Sequence, residues 1–104
     1  MTREYDKLVR DDIPAKIRAD DETPVTHRAT GDEYRDRLAE KLVEEAEEYA
    51  ENRRVAELGD VLDVLDAICV ARDVDRDRLD DARETKTEER GGFAEGVVLE
   101  RVEE

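Results

Sequence analysis

The sequence predicts an all-α protein: an antiparallel helical bundle with a small two-strand accessory. Two observations carry that expectation. Apolar residues recur at helical spacing over residues 34–71. Helix-start signals stand at Ile13-Pro14, at Thr30-Gly31-Asp32-Glu33 and at Val74-Asp75 with Leu79. Signals for β structure are confined to Val25-Thr26-His27-Arg28 and Val97-Val98-Leu99. These two short stretches are expected to pair with each other.

In chain order, Pro14 suits the first turn of a short helix over about residues 13–20, because its missing N–H is not needed there. Ile13 and Ile17 would face inward. Asp20-Asp21-Glu22-Thr23-Pro24 reads as a polar loop. Thr30 and Glu33 have the spacing of a capping box, which opens a long helix to about residue 51. A second long helix is expected from about 53 to 71. Asp75 then fits an N-cap, with Val74 and Leu79 as a hydrophobic staple. That third region, to about residue 89, is thinly apolar and needs another surface to pack on. Gly91-Gly92 ends it, since glycine takes the left-handed conformation that closes many helices.

A chain of 104 residues implies one domain, spanning 1–104, with a modest core. Charged residues make up 48% of it and the formal net charge is −14. A duplex nucleic-acid partner is disfavoured, because no basic patch is visible. The acid is spread along the whole chain rather than gathered in a tail. This favours a halophilic cytoplasmic protein, whose self-repulsion is screened in concentrated salt, over an acidic adaptor for basic partners. Cys69 lies on an apolar helix face and reads as a packing residue. His27, the only histidine, has no Cys or second His to complete a zinc or nucleophile pattern. No run of 18 apolar residues and no signal-peptide core is present, so the expectation is a soluble protein without a membrane partner.

The chemistry concentrates in Lys41-Leu42-Val43-Glu44-Glu45-Ala46-Glu47-Glu48 and Glu57-Leu58-Gly59-Asp60. Glu45/Glu48 and Glu57/Asp60 are each three positions apart, which makes them neighbours on a helix surface, roughly 5–6 Å between Cβ atoms. With the core face set at Leu38, Leu42, Ala46 and Tyr49, Glu45 and Glu48 share one flank beside Lys41, and Glu47 points away. On the second helix the expected core face is Leu58, Val61, Leu62, Leu65, Ile68 and Cys69. Glu57 then lies at its edge, Asp60 further out, and Asp63 points away. Two such pairs on facing helices make a four-carboxylate cage suited to a hard divalent cation. In so acidic a chain the same spacing also arises on an ordinary solvated face, and spacing alone leaves both readings open. One straight helix through both motifs would hold Glu48 and Glu57 on opposite sides, about 13 Å apart along its axis. The cage therefore requires a reversal near Glu51-Asn52-Arg53-Arg54, where Asn52 can end one helix or cap the next.

Lys7-Leu8-Val9-Arg10-Asp11-Asp12-Ile13-Pro14, the two acidic motifs and Arg90-Gly91-Gly92-Phe93 occur in this order. Taken together, the chain resembles the MazG-like all-α nucleoside triphosphate pyrophosphohydrolases, and within them the small phosphoribosyl-ATP pyrophosphohydrolase-like group. The spacer of eight residues between Glu48 and Glu57 is shorter than in typical members. The resemblance implies a single MazG-like domain, hydrolysis of a nucleotide to its monophosphate and pyrophosphate, dependence on Mg²⁺ with Mn²⁺ as a substitute, and a homodimer or homotetramer. It places the metal ligands on Glu45, Glu48, Glu57 and Asp60, and Glu44 or Glu45 would accept the proton of the attacking water. Lys7, Arg10, Lys41, Lys86 and Arg90 are the candidate phosphate-binding cations. The alternatives are a nucleotide- or metal-binding regulator without turnover, and an acidic helical interaction protein. No motif reads the base or the sugar.

Overall fold

A computed structural model describes residues 2–104. It contains four helices and, among the described residues, no strand: α1 (Ile13–Ala19), α2 (Gly31–Asn52), α3 (Val55–Ala71) and α4 (Arg76–Arg90). The class is all-α. The chain divides into two compact units, one ending at Asp73 and the other spanning Val74–Glu104. Among the described residues, no helix is long and apolar enough to cross a membrane.

α1 begins at Ile13 with Pro14 in its first turn. Ile13 and Ile17 are half-buried, as the sequence implies. α2 begins after Thr30, whose backbone is extended as at an N-cap, but the Thr30 side chain makes no cap bond. The capping box is not formed, and Glu33 has side-chain partners instead. Its Oε2 lies 2.9 Å from His27 Nε2 and 3.6 Å from Arg37 Nε. A carboxylate held by the Arg37 cation and the His27 ring gains more than one bonded to a neutral, solvent-exposed backbone N–H. His27 is accordingly exposed.

The reversal falls where the cage requires it, and Arg53 carries it rather than Asn52. Arg53 adopts the left-handed conformation (φ 61°), and its N–H donates to Tyr49 O at 2.8 Å. Its Nε donates to Ala50 O at 2.8 Å, so one arginine satisfies two end carbonyls of α2. Asn52 braces the turn from the side, accepting from Arg54 N at 3.0 Å and donating to Glu57 Oε1 at 3.1 Å. With only Arg53 and Arg54 between them, α2 and α3 pack as an antiparallel hairpin.

The buried face of this hairpin differs from the one periodicity predicts. Leu38 (2% exposed) and Val64 are its buried apolar residues, and Glu45 is its buried charged residue. Leu42, Tyr49, Val61, Leu65, Ile68 and Cys69 are half-buried, and Ala46 is exposed. Leu58 and Leu62 are 45% and 57% exposed. The physical reason is that α3 is apolar around most of its circumference, and one partner helix covers only one stripe of it. A second stripe, Val55-Leu58-Leu62 on α3 and Val43-Ala46 on α2, is left facing outward.

In the second unit, Asp75 caps α4 as expected, its Oδ1 accepting from Arg78 N at 2.8 Å. Gly91 closes α4 at φ 80°. Leu79 is half-buried and Ala82 exposed. Neither residues 25–28 nor residues 97–99, the expected halves of the two-strand accessory, form a strand. Val25 is 96% exposed, and Val97, Val98 and Leu99 are also exposed. An isolated pair of short strands with no apolar face to bury is marginal in water.

Candidate metal centre

The hairpin places the four expected ligands in two overlapping groups, not in one four-carboxylate cluster. One carboxylate oxygen from each of Glu44, Glu45 and Glu48 lies within 4.8 Å of the others, and so does one from each of Glu45, Glu57 and Asp60. Glu45 belongs to both groups, so α2 and α3 are joined through it. Two oxygens on opposite sides of one Mg²⁺ stand about 4.2 Å apart, twice the usual bond length. Neighbouring oxygens on the same ion stand about 3.0 Å apart, so these carboxylates would draw inward to coordinate one. Glu47 is exposed and belongs to neither group.

Glu45 is the decisive residue. It is only 7% exposed. Lys41 Nζ lies 3.1 Å from its Oε1, whereas its buried Oε2 has no hydrogen-bond partner. A buried charged oxygen without a partner is costly, and side chains of a folded core seldom leave one so. A cation among these carboxylates would satisfy it. The donor set, all carboxylate oxygen with no sulfur or imidazole, suits a hard divalent ion rather than a thiophilic one.

Three of the five expected phosphate-binding cations stand against these acids. Lys7 Nζ donates to Glu44 Oε1 at 2.6 Å and sits 5.9 Å from the Tyr5 ring centroid. Lys41 Nζ reaches Glu44 Oε2 at 3.4 Å. Arg10 Nη2 donates to Asp60 Oδ1 at 2.8 Å. The segment carrying Lys7 and Arg10 is tied down by Arg37, which donates to Asp6 O at 2.8 Å and to Asp6 Oδ1 at 2.9 Å. Lys86 and Arg90 are exposed residues of α4, in the other unit.

Asp63, expected to point away, also accepts from Arg10 Nη2, at 2.8 Å. The sequence held a signal for it: Asp63 is three positions from Asp60, which places both on one flank of α3. Arg37 and Asp6 carried no such signal, since nothing local links residues 31 positions apart.

The charges polarise the cluster. Hydrogen bonding to Lys7, aided by the charges of Lys41 and Lys7, holds the Glu44 carboxyl below its ordinary value. The same bond, with the nearby carboxylates, holds Lys7 above its own. Glu48 moves the opposite way. The negative charge of Glu45 raises it first, then desolvation, then the charges of Glu57 and Glu44.

A raised folded-state value means that the protonated form of Glu48 stabilises the fold. That contribution is complete below the ordinary value of 4.5 and is lost as pH rises through the raised one. Glu48→Gln, which is neutral at every pH, is therefore expected to melt above wild type at pH 7 in EDTA. The gap should close near pH 4. The low-pH loss of the Lys7–Glu44 pair affects both proteins and cancels in the difference. Thermal melts of the two proteins over this range check it, and a variant melting below wild type at pH 7 would refute it.

No protein-family model, curated protein or solved structure matches this chain.

Proposed function

We propose that the chain is a Mg²⁺-dependent nucleotide pyrophosphohydrolase of the MazG-like kind, cleaving between the α and β phosphorus atoms to release the monophosphate and pyrophosphate. The observation that carries this reading is Glu45. Glu45 belongs to both carboxylate groups, one within α2 and one shared with α3, and its buried Oε2 has no hydrogen-bond partner. The order of the sequence motifs, with Lys7 and Arg10 lying against the acids, supports a phosphorylated substrate.

Glu45, Glu48, Glu57 and Asp60 would hold Mg²⁺, or Mn²⁺ in its place. Bound there, the ion supplies Lewis-acid polarisation of the phosphoryl oxygens and lowers the pKa of a coordinated water. Glu44, kept ionised by Lys7 and Lys41, accepts the proton of the attacking water. Its basicity is low while Lys7 grips it, and it rises when Lys7 moves onto a substrate phosphate. Lys7, Arg10 and Lys41 neutralise the phosphates. Glu45 has a second role, as the ligand shared by both acid groups.

The MazG-like bundle is completed in this reading by a second copy of the chain. On α3 the outward residues Val55, Leu58 and Leu62 have the i, i+3, i+7 spacing of a helix-packing face, and a pair of hairpins makes a four-helix arrangement. The setting is the cytoplasm.

The test is a product assay in high salt with Mg²⁺ or Mn²⁺, over canonical, deoxy and modified NTPs and phosphoribosyl-ATP. Pyrophosphate is expected as the first product from at least one of them. Orthophosphate first, or no turnover on any, would sink the reading. Nucleotide-dependent thermal stabilisation without turnover would select a binding regulator instead.

A further inference from the structure

We propose that Asp63 is a positioning residue: it keeps Arg10 beside the acidic cage when Asp60 turns to the metal, so that the guanidinium is ready for substrate phosphate. The inference rests on the metal-centre reading above and assigns a role to a residue outside the ligand set.

A single nitrogen, Arg10 Nη2, bridges Asp60 Oδ1 and Asp63 Oδ2, at 2.8 Å to each. The two carboxylates differ in what else they face. Asp60 belongs to the group with Glu45 and Glu57, and Asp63 belongs to neither acid group. Asp63 stands three positions further along α3, about 4.5 Å down the axis from Asp60. A divalent ion that recruits Asp60 competes with Arg10 for the same carboxylate. It leaves the bond to Asp63 intact.

Without that second bond, metal entry would release Arg10 entirely. Its side chain is 58% exposed, on a segment preceding α1, and would disperse over many rotamers. With the bond, it stays within reach of the cage. Nη2 belongs to both donor forks of the guanidinium, the one with Nε and the one with Nη1, and with both aspartates on it neither fork is open. Departure of Asp60 to the metal frees one Nη2 hydrogen and opens one fork to a phosphate group, while Asp63 holds the other.

Two other exposed arginine–aspartate pairs are local, and the long-range pair Arg37–Asp6 involves neither acid group. Arg35–Asp32 and Arg83–Asp80 are i, i+3 contacts at 3.2 Å, of the kind that contributes little. Arg10 and Asp63 are 53 positions apart and meet on the atom that also binds an expected metal ligand. That coincidence gives Asp63 a role beyond surface charge.

The experiment is calorimetric titration in about 1 M KCl, where the Debye length is near 3 Å and unligated charges are screened. Inorganic pyrophosphate is titrated into Mg²⁺-loaded protein, and Mg²⁺ alone into metal-free protein. Asp63→Asn and Arg10→Gln are each expected to weaken pyrophosphate binding about 10-fold, the worth of one charge-assisted hydrogen bond. The double variant should be no weaker than Arg10→Gln alone, and Asp63→Glu should recover most of the loss. Mg²⁺ affinity should change less than about threefold in Asp63→Asn, in contrast to Asp60→Asn, which should lose at least about 10-fold as a ligand variant.

Additive losses in the double variant, or unchanged pyrophosphate binding in Asp63→Asn, would overturn the inference and leave the metal centre standing. Loss of Mg²⁺ affinity in Asp63→Asn equal to that in Asp60→Asn would overturn it by making Asp63 a ligand. A lower melting temperature with both affinities unchanged would reduce the contact to a structural tie. Wild-type protein that takes up neither Mg²⁺ nor pyrophosphate would remove the metal centre, and this inference with it.

Discussion

Glu45→Gln is expected to lose Mg²⁺-dependent pyrophosphate release by at least about 100-fold and, at the same time, to make the metal-free protein more stable. The two effects share one cause. Glu45 is buried between Glu48, Glu57, Asp60 and Glu44, with one oxygen on Lys41 and the other unpartnered. As a metal ligand it contributes charge that glutamine lacks. Loss of groups that merely support a ligand already costs 10–100-fold as a rough rule, and a shared direct ligand costs no less.

Without metal, that same charge is a burden, since a buried unsatisfied polar atom costs about 1–3 kcal/mol. Glutamine removes the charge, keeps the shape and can donate to a neighbouring carboxylate. A gain of about 1 kcal/mol, or about 4–8 °C in melting temperature for a domain of this size, is expected. Lys41 keeps Glu44 as a partner, which limits any loss on that side. Mg²⁺ should stabilise wild type by mass action, about 2.7 kcal/mol at a hundredfold excess over Kd, and Glu45→Gln far less. Glu47→Gln is the control. It changes the same charge by the same amount on an exposed side chain and should retain most activity. Equal losses in Glu45→Gln and Glu47→Gln, or a metal-free Glu45→Gln that melts well below wild type, would show that Glu45 is an ordinary structural acid.

The second large effect is that of salt. The formal net charge is −14, and Leu38 and Val64 are the buried apolar residues that oppose the repulsion. The Debye length falls from about 10 Å at 0.1 M to about 3 Å at 1 M. Raising KCl over that range is expected to raise the melting temperature by about 10 °C or more, equivalent to roughly 2 kcal/mol in a domain of this size. Association should follow the same curve. The stripe containing Val43, Leu58 and Leu62 lies on helices rich in acid, so two copies approach only when that charge is screened. Thermal melts with light scattering at each salt concentration test both parts. A flat melting temperature would remove the halophile argument, and a monomer at every salt would remove the second copy.

The sequence by itself determined what is local. Helix ends are decided within a few residues by caps and breakers, and Pro14, Asp75 and Gly91 stand where such signals belong. The pairing of Glu45 with Glu48 and of Glu57 with Asp60 follows from helical spacing alone. The need for a reversal near residue 53 followed from the length of the helix that would otherwise separate them. Tertiary structure decided what depends on a partner. α3 is apolar on more than one side, so periodicity allowed several buried faces. Packing against α2 selected Val64, put Glu45 inside and left Leu58 and Leu62 outward. Thr30 and Glu33 had the spacing of a capping box, but His27 and Arg37 were within reach of Glu33 and took it. Arg10 had many carboxylates to choose from, and only the folded chain brought Asp60 and Asp63 to one nitrogen. A cap or a helix turn is settled by neighbours a few residues away, where few partners compete. An ion pair or a buried face is settled across tens of residues, among many candidates of nearly equal local merit, and only the assembled fold separates them.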